Sequence, residues 1–361
     1  SIRIEGGTIN GNANTSNSRT DVADSYGIYN SSGKIEIIGG TISSNNNTSN
    51  TYLKIGYGIY NDSGKIDIIE GTVSSEGNCY GVNGIVNDNG DITIKGGTIS
   101  SSNINSGSTS PYSRGITNSG SVIIDAGTVN SSGDSYNYGI YNYGKGNVIV
   151  ENGTVNSSGI NSSIYGIFNS STGNVTIRGG VVSSSNERAD SYGIYNEDTG
   201  NITISDGIVS SASGSENDSN SYGIYNISSE NAIVEGGKIS SNSSNGNSYG
   251  IYNINGILII GNKEKEISQN NPIIQAEYIE TLNSYYGYGI YNQLGNVEIN
   301  NGLIQGKTVA LLGGVTKIRD GYKIENSIIE EKDSIYLVEK INEEYIVQID
   351  EIQYTSLQKA I

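Results

Sequence analysis

One tetrapeptide, Gly-Ile-x-Asn, constrains this chain more than anything else in it. It is written ten times, with Gly, Ile and Asn at 27/28/30, 58/59/61, 84/85/87, 115/116/118, 139/140/142, 166/167/169, 193/194/196, 223/224/226, 250/251/253 and 289/290/292. A strand-sized unit returning every 24 to 39 residues marks a stacked array, in which each repeat buries its apolar face only against its neighbours.

Two further runs recur between the copies. One alternates as Ile-x-Ile or Val-x-Val (Ile35/Ile37, Ile66/Ile68, Ile202/Ile204), and the other reads Thr-Ile-Ser or a relative (Thr41-Ile42-Ser43, Thr98-Ile99-Ser100). Alternation puts Ile35 and Ile37 on one side and Lys34 and Glu36 on the other. The expected interior is Ile59, Ile66, Ile68 and Val73 in the second coil, and Ile194, Ile202, Ile204 and Val209 in the seventh. Three short strands per turn with glycine-rich corners predict an all-β fold, a single-stranded right-handed parallel β-helix of about ten three-strand coils over residues 1–306. One coil offers four or five apolar side chains at roughly 1.5–3 kcal/mol each, less than the entropy lost in ordering it, so stacking is obligatory.

Composition supports a narrow core repeated many times. Only 34% of the chain is hydrophobic, 50 of 361 residues are Gly, and His, Met and Trp are absent. A net charge of −17 disfavours nucleic acid, whose phosphates need a basic face, and adsorption to anionic lipid. Cys79 is alone, so no internal disulfide forms. No apolar run approaches membrane-spanning length, and the opening Ser1 reads as an internal piece of a longer protein.

Spacing within the repeat is lopsided. From the Gly of Gly-Ile-x-Asn to the residue before Thr-Ile-Ser the steps are 13, 13, 13, 12, 14, 14, 14, 14, 12 and 13, taking Asn262 as the ninth. The returns, counted from Gly7, are 20, 18, 13, 18, 12, 13, 13, 16, 13 and 27. Insertions therefore gather on one side, in Ser/Asn-rich stretches such as Asn45–Thr51 and Ser211–Ser221, and both prolines, Pro111 and Pro272, are expected in long returns. The Gly of Gly-Ile-x-Asn is expected to serve a corner with φ > 0 or a close backbone approach. The recurring Asn, as at Asn30, Asn61, Asn142 and Asn196, is expected to point inward or into a turn and to bond from coil to coil as a structural ladder.

After Gly306 the composition breaks: residues 307–361 carry 17 charged residues and three glycines, against 40 and 47 before. Residues 307–351 read as a charged β closing segment over the last coil, with strand-like runs at Ser334–Val338 and Tyr345–Ile349. Residues 352–361 read as the start of a following module, where Leu357, Ala360 and Ile361 suit a short amphipathic helix.

Repeats of the form Tyr-Gly-Ile-Tyr-Asn, Ser-Gly-x-Ile-x-Ile and Gly-Gly-Thr-Ile-Ser resemble the pectate-lyase-like β-helix modules of large Gram-positive surface proteins. Asp320-Gly321-Tyr322 resembles their closing segment, and Tyr354 to Ile361 the segment that opens the next module. The resemblance spans essentially the whole chain. It implies secretion, attachment to the cell envelope and adhesion, with other modules of the same chain as neighbours.

Catalytic groups are sparse. Without His there is no Ser-His-Asp triad and no His metal site, and Cys79 lacks a His partner. Lyases on this fold place clustered acids and a basic proton acceptor on one face, whereas Glu36, Asp67 and Glu298 here read as coming from coils far apart. Asp88 and Asp91 have no recurring partner, and Glu330/Glu331 read as a solvated run. No cofactor or metal is expected. The rings are more informative. Tyr precedes the Gly at 26, 57, 138, 165, 192, 222, 249 and 288, and an aromatic follows the Ile at 29, 60, 141, 168, 195, 225, 252 and 291. Both are lost together at Asn83/Val86 and Arg114/Thr117. Such a stripe stiffens the rod by stacking or serves as a platform for carbohydrate or a host or cell-surface protein. The candidate ligand-binding residues are Tyr195, Tyr225, Tyr252 and Tyr291, with Lys263 and Tyr286 bounding the longest return. The leading expectation is a non-enzymatic, extracellular stalk or adhesin segment presenting variable loops. A carbohydrate-active enzyme and a phage or secreted fibre are the alternatives.

Overall fold

The computed structural model describes residues 1–13, 24–47, 54–104, 110–214, 218–265, 271–278, 285–313 and 317–319, and by backbone alone the strands Tyr322–Ile328, Ser334–Lys340, Val347–Ile349 and Ile352–Tyr354. The expected helix around Leu357 lies outside the described residues. Among those described every regular element is a strand.

The chain winds as a right-handed parallel β-helix with three strands per coil. The Gly-Ile-x-Asn strands, from Ser25–Asn30 to Gly287–Asn292, stack into one sheet that Val309–Leu312 extends to 11 strands. The Ile-x-Ile strands, from Ile2–Ile4 to Asn296–Ile299, form a second sheet that Lys317–Ile318 extends to 12. The Thr-Ile-Ser strands, from Thr8–Ala13 to Leu303–Gly306, form a third. Parallel pairing thus runs on past residue 306. On the last Thr-Ile-Ser strand it gives way to Ser334–Lys340, which lies antiparallel against Leu303–Gly306 and carries Tyr322–Ile328 antiparallel in turn.

Like residues stand in columns. Ile28 pairs with Ile59, Ile59 with Ile85, Ile85 with Ile116 and Ile116 with Ile140. Ile59, Ile66, Ile68 and Val73, and likewise Ile194, Ile202, Ile204 and Val209, are fully buried in one continuous core. The interior is not apolar throughout. Beyond the inward Ile or Val of most Thr-Ile-Ser strands comes an inward Ser, as at Ser44, Ser75, Ser101, Ser131, Ser157 and Ser184, all buried, with Ala276 at the same position in the ninth coil. Most of these hydroxyls find partners in the interior: Ser44 meets Ser75 at 2.9 Å, Ser113 donates to Ser101 and Ser191 to Ser184 at 2.8 Å, and Ser131 donates to the Ser113 carbonyl at 2.8 Å, whereas the Ser157 hydroxyl is buried without a hydrogen bond among the described residues. Small hydroxyls fit where the Thr-Ile-Ser and Gly-Ile-x-Asn strands approach each other, and where a hydrogen bond forms it offsets the desolvation.

The two recurrent glycines do different work. The one before Thr-Ile-Ser turns the corner with positive φ, +86° at Gly40 and +98° at Gly71. The one in Gly-Ile-x-Asn is no corner. It lies mid-strand, where pairing skips it: Tyr26 pairs with Tyr57 and Ile28 with Ile59. A Cβ on Gly166 would stand 2.5 Å from the carbonyl oxygen of Gly193 and 2.8 Å from a Val182 methyl. Close approach is therefore the operative reason. The strand breaks its alternation there: a Cβ on Gly27 and the side chain of Ile28 both point inward, so Tyr26 and Tyr29 emerge on the same outer face.

The ninth coil departs from the expected spacing. Its Thr-Ile-Ser strand is Ile273–Tyr278, paired with Lys238–Ser243 and Leu303–Gly306, so its corner is Pro272 rather than Asn262. The steps there are 22 (250 to 272) and 17 (272 to 289). Gly261-Asn262 imitates the corner, and Gly261 has the positive φ, +78°, but an insertion follows before the strand begins. Pro111 lies in a return as expected. Pro272 instead sits at the strand's start, where no ladder N–H is required of it.

Ile194→Ala is expected to lower stability by about 2–5 kcal/mol in denaturant unfolding. Gly166→Ala, which only adds a methyl, should cost about 1–3 kcal/mol by overpacking. Gly6→Ala, where nothing lies within 4 Å of the added carbon, should be near neutral.

Candidate functional site

The recurrent asparagines form an unbroken buried ladder. Asn30 donates its amide to Oδ1 of Asn61 (2.6 Å), and the bond repeats through Asn87, Asn118, Asn142, Asn169, Asn196, Asn226 and Asn253 to Asn292 at 2.7–2.9 Å. The same nitrogen also donates to a glycine carbonyl of its own corner, as Asn142 does to Gly146 (3.0 Å) and Asn196 to Gly200 (2.8 Å). Both N–H groups and the carbonyl are thereby used, which is what permits a buried amide.

Outside the same sheet lie two columns of rings. The inner column stacks Tyr26 on Tyr57, and then Tyr138, Tyr165, Tyr192, Tyr222, Tyr249 and Tyr288 at 4.8–5.3 Å with planes within 13°. The outer column stacks Tyr29 on Tyr60, and then Tyr141, Phe168, Tyr195, Tyr225, Tyr252 and Tyr291 at 4.8–5.5 Å. Rings of one coil meet edge to face, as Tyr192 and Tyr195 do at 5.3 Å and 82°. The break in alternation at Gly is what sets both rings on this face. Tyr195, Tyr225 and Tyr252 each have a ring stacked on either face. What they turn to solvent is ring edge and hydroxyl. Tyr291 is stacked on Tyr252, and the next residue in its column is Leu312.

Lys263 and Tyr286 do not come together. Lys263 is on the insertion before strand Ile273–Tyr278, and Tyr286 stands after that strand, immediately ahead of Gly287–Asn292. The stretch expected as one long return is two insertions at opposite ends of a strand. Tyr286 is exposed and rests near the Tyr288 ring at 5.8 Å.

The acids also need correction. Glu36 and Asp67 face each other on neighbouring coils. Lys34 bridges both at 3.0 Å, Lys65 holds Asp67 at 3.1 Å and Arg3 reaches Glu36 at 3.2 Å. Lys34 holds the Glu36 carboxyl below its usual range. Burial pushes Asp67 up, but Lys34 and Lys65 outweigh it and leave the carboxyl low. Neither is poised as a general acid. Burial raises the Cys79 thiol to about 11, far from a reactive thiolate. Among the described residues no three His, Cys, Asp or Glu gather to hold a metal.

Where the ring columns break, the structure substitutes a polar splice. Arg114 lays its guanidinium over Tyr112 (4.1 Å), Tyr141 (4.0 Å) and Tyr138 (5.2 Å). Thr117 donates to Asn83 at 2.7 Å. Asp88 accepts from the Tyr60 hydroxyl on one side and from Tyr143 on the other (2.6 Å). Tyr143, outside both repeating positions, is two coils from Asp88 and spans the gap. Beside it opens a recess of about 470 Å³ bordered by Asn89, Ser119, Tyr143, Lys145, Thr172 and Asp198. Sequence reasoning noted the ring loss and passed over Tyr143. The available signal was the corner length, which steps from 12 to 14 between the fourth and fifth coils.

Comparison of the chain with protein-family models, with curated proteins and with solved structures finds no match in any of the three.

The tyrosine columns make the fold sensitive to alkali. Burial raises Tyr26, Tyr138 and Tyr195 to about 12, and Tyr165, Tyr192, Tyr222 and Tyr249 higher still, against about 10 in an unfolded chain. Above pH 10 the unfolded state loses protons that the folded state keeps, so the tyrosines' contribution to stability is level below pH 10 and falls from there through 12. Denaturant unfolding across pH 8–12, with tyrosinate absorbance followed alongside, should show phenolate appearing together with loss of strand signal. Ionisation of most of the stacked tyrosines near pH 10 in a folded rod would contradict this.

Proposed function

We propose that this chain is a non-enzymatic module of an extracellular, envelope-attached protein: a rigid stalk or adhesin segment, akin to the pectate-lyase-like β-helix modules of Gram-positive surface proteins. Its Ser/Asn-rich returns would meet host or neighbouring-cell ligands while other modules of the same chain continue the stalk. The observation that carries the reading is the division of labour around the coil. Two sheets and the corner between them are kept in register by the asparagine ladder and the stacked rings, and most length variation is collected at the return corner. Loops on a stiff scaffold vary at low cost and present contacts. Ten coils at about 4.8 Å each make a rod on the order of 50 Å, a spacer's dimension. The charge pairs around Glu36 and Asp67 support a non-enzymatic reading, since each carboxylate is committed to a cation.

Beads coated with the intact chain should adhere to matrix proteins, glycans or cells. A variant with residues 47–53 and 104–110 cut to the length of the shortest return should adhere less while unfolding as the parent does. Equal adhesion by both, no adhesion by either, or polysaccharide cleavage by the chain would overturn the reading.

A further inference from the structure

In a molecule built of repeating columns, several departures at one place are informative, because each gives up stacking that its neighbours keep. Around the third to sixth coils four coincide. Both ring columns are interrupted, by Asn83/Arg114 and Val86/Thr117. The corner of the fourth coil is the shortest: Asn118 caps Gly120 only two residues on, whereas Asn142, Asn169 and Asn196 cap glycines four residues on. The longer fifth corner carries an extra ring, Tyr143, which is 40% exposed. The half-buried Asp88 ties that ring back across the gap through its hydroxyl. A short corner followed by three long ones leaves the recess, and the tether fixes Tyr143 as its wall.

We propose that this recess is a carbohydrate-binding site that takes a neutral hexopyranose or its 2-acetamido form, at a chain end or branch of a glycan. The proposal rests on the adhesin reading and names a ligand class for it. Elsewhere in the ladder the ring faces are covered by other rings, so a sugar's apolar C–H face finds few of them open. Among the described residues Tyr143 has one ring neighbour, Tyr141, offset at 6.0 Å, and its hydroxyl is tied to Asp88 at 2.6 Å. Asn89, Ser119 and Thr172 supply amide and hydroxyl groups that both donate and accept, and Asp198 and Lys145 add one charge of each sign. That set matches vicinal hydroxyls or an acetamide, and its balanced charge gives no preference for an acidic sugar. An aromatic ring beside convergent amide and hydroxyl groups, in an open and mostly polar recess, suits a sugar, which carries a C–H face and a ring of hydroxyls, better than it suits an apolar ligand. A peptide fits less well. The strands beside the recess are paired on both sides within the stack, so no free edge is offered for strand addition, and apart from Tyr143 the recess is lined by polar side chains and glycine.

The test is a panel of neutral and acidic glycans probed with the intact chain, followed by calorimetric titration of the strongest binder. Glycans ending in a neutral hexose or 2-acetamido-hexose should bind. Tyr143→Ala should weaken them by roughly tenfold or more, as loss of a central aromatic anchor does. Thr172→Trp, which fills the recess from an exposed corner, should abolish binding, and Glu230→Ala, on a corner outside it, should change nothing. Thermal unfolding of each variant checks that the rod persists. Absence of glycan binding by the parent chain overturns the site, as do parent-like affinities of both the Tyr143 and Thr172 variants. Bead adhesion that survives in those two variants would leave the adhesin reading standing while this site falls.

Discussion

In this chain the strand peptide groups find their hydrogen-bond partners one coil away, in a neighbouring strand of the same kind. That constraint fixes the rest. A parallel stack gives no partner within the coil, so a coil alone is a ring of unmet donors and acceptors with too little apolar surface to compensate. Once coils stack in register, whatever residue occupies a position lies beside its counterpart, and the favourable choices are those that tolerate their own company. Isoleucine and valine do so by burial, tyrosine by face-to-face contact, and asparagine because its amide both gives and accepts.

The asparagine ladder is the most specific of these columns. A one-residue slip would move every inward side chain to the outer face and leave amides without partners in the interior. The ladder therefore acts as a register device as well as a source of stability. It continues through the third and fourth coils, where the ring columns fail. The ring columns on the outer face can be interrupted and spliced with Arg114 and Asp88, whereas the asparagine column is not. The outer surface is thus the part free to take on a role beyond holding the rod together.

Much of this was legible in the residues. Alternation at Ile35/Ile37 placed the core, the tenfold asparagine announced the ladder, and the paired loss of rings at Asn83/Val86 and Arg114/Thr117 marked the one break. What alternation could not reveal was its own interruption. A mid-strand glycine whose absent Cβ is needed for close approach looks, in sequence, like any turn glycine, and only the coordinates show it turning two tyrosines to one face. The ninth coil misled for a related reason: Gly261-Asn262 has the local chemistry of a corner, while the true strand start at Ile273 follows a proline. Glu36 and Asp67 looked remote because distance was judged along the chain, although 31 residues is one coil. Tyr143 went unremarked since it belongs to no column, and its role comes from a hydroxyl reaching Asp88, 55 residues back.

The central claim is that position along the rod is set by coil number and is indifferent to the residues between. Nitroxide labels on the residue after a ladder asparagine measure this directly by pulsed electron resonance. With about 4.8 Å per coil, a label at Ser31 should lie about 29 Å from one at Glu197 and about 43 Å from one at Gln293, and a label at Asp62 about 24 and 38 Å from the same two. Four narrow distributions differing by whole coil steps are the expected result. Broad distributions, or distances that fail to rise by one strand spacing per coil, would contradict the account.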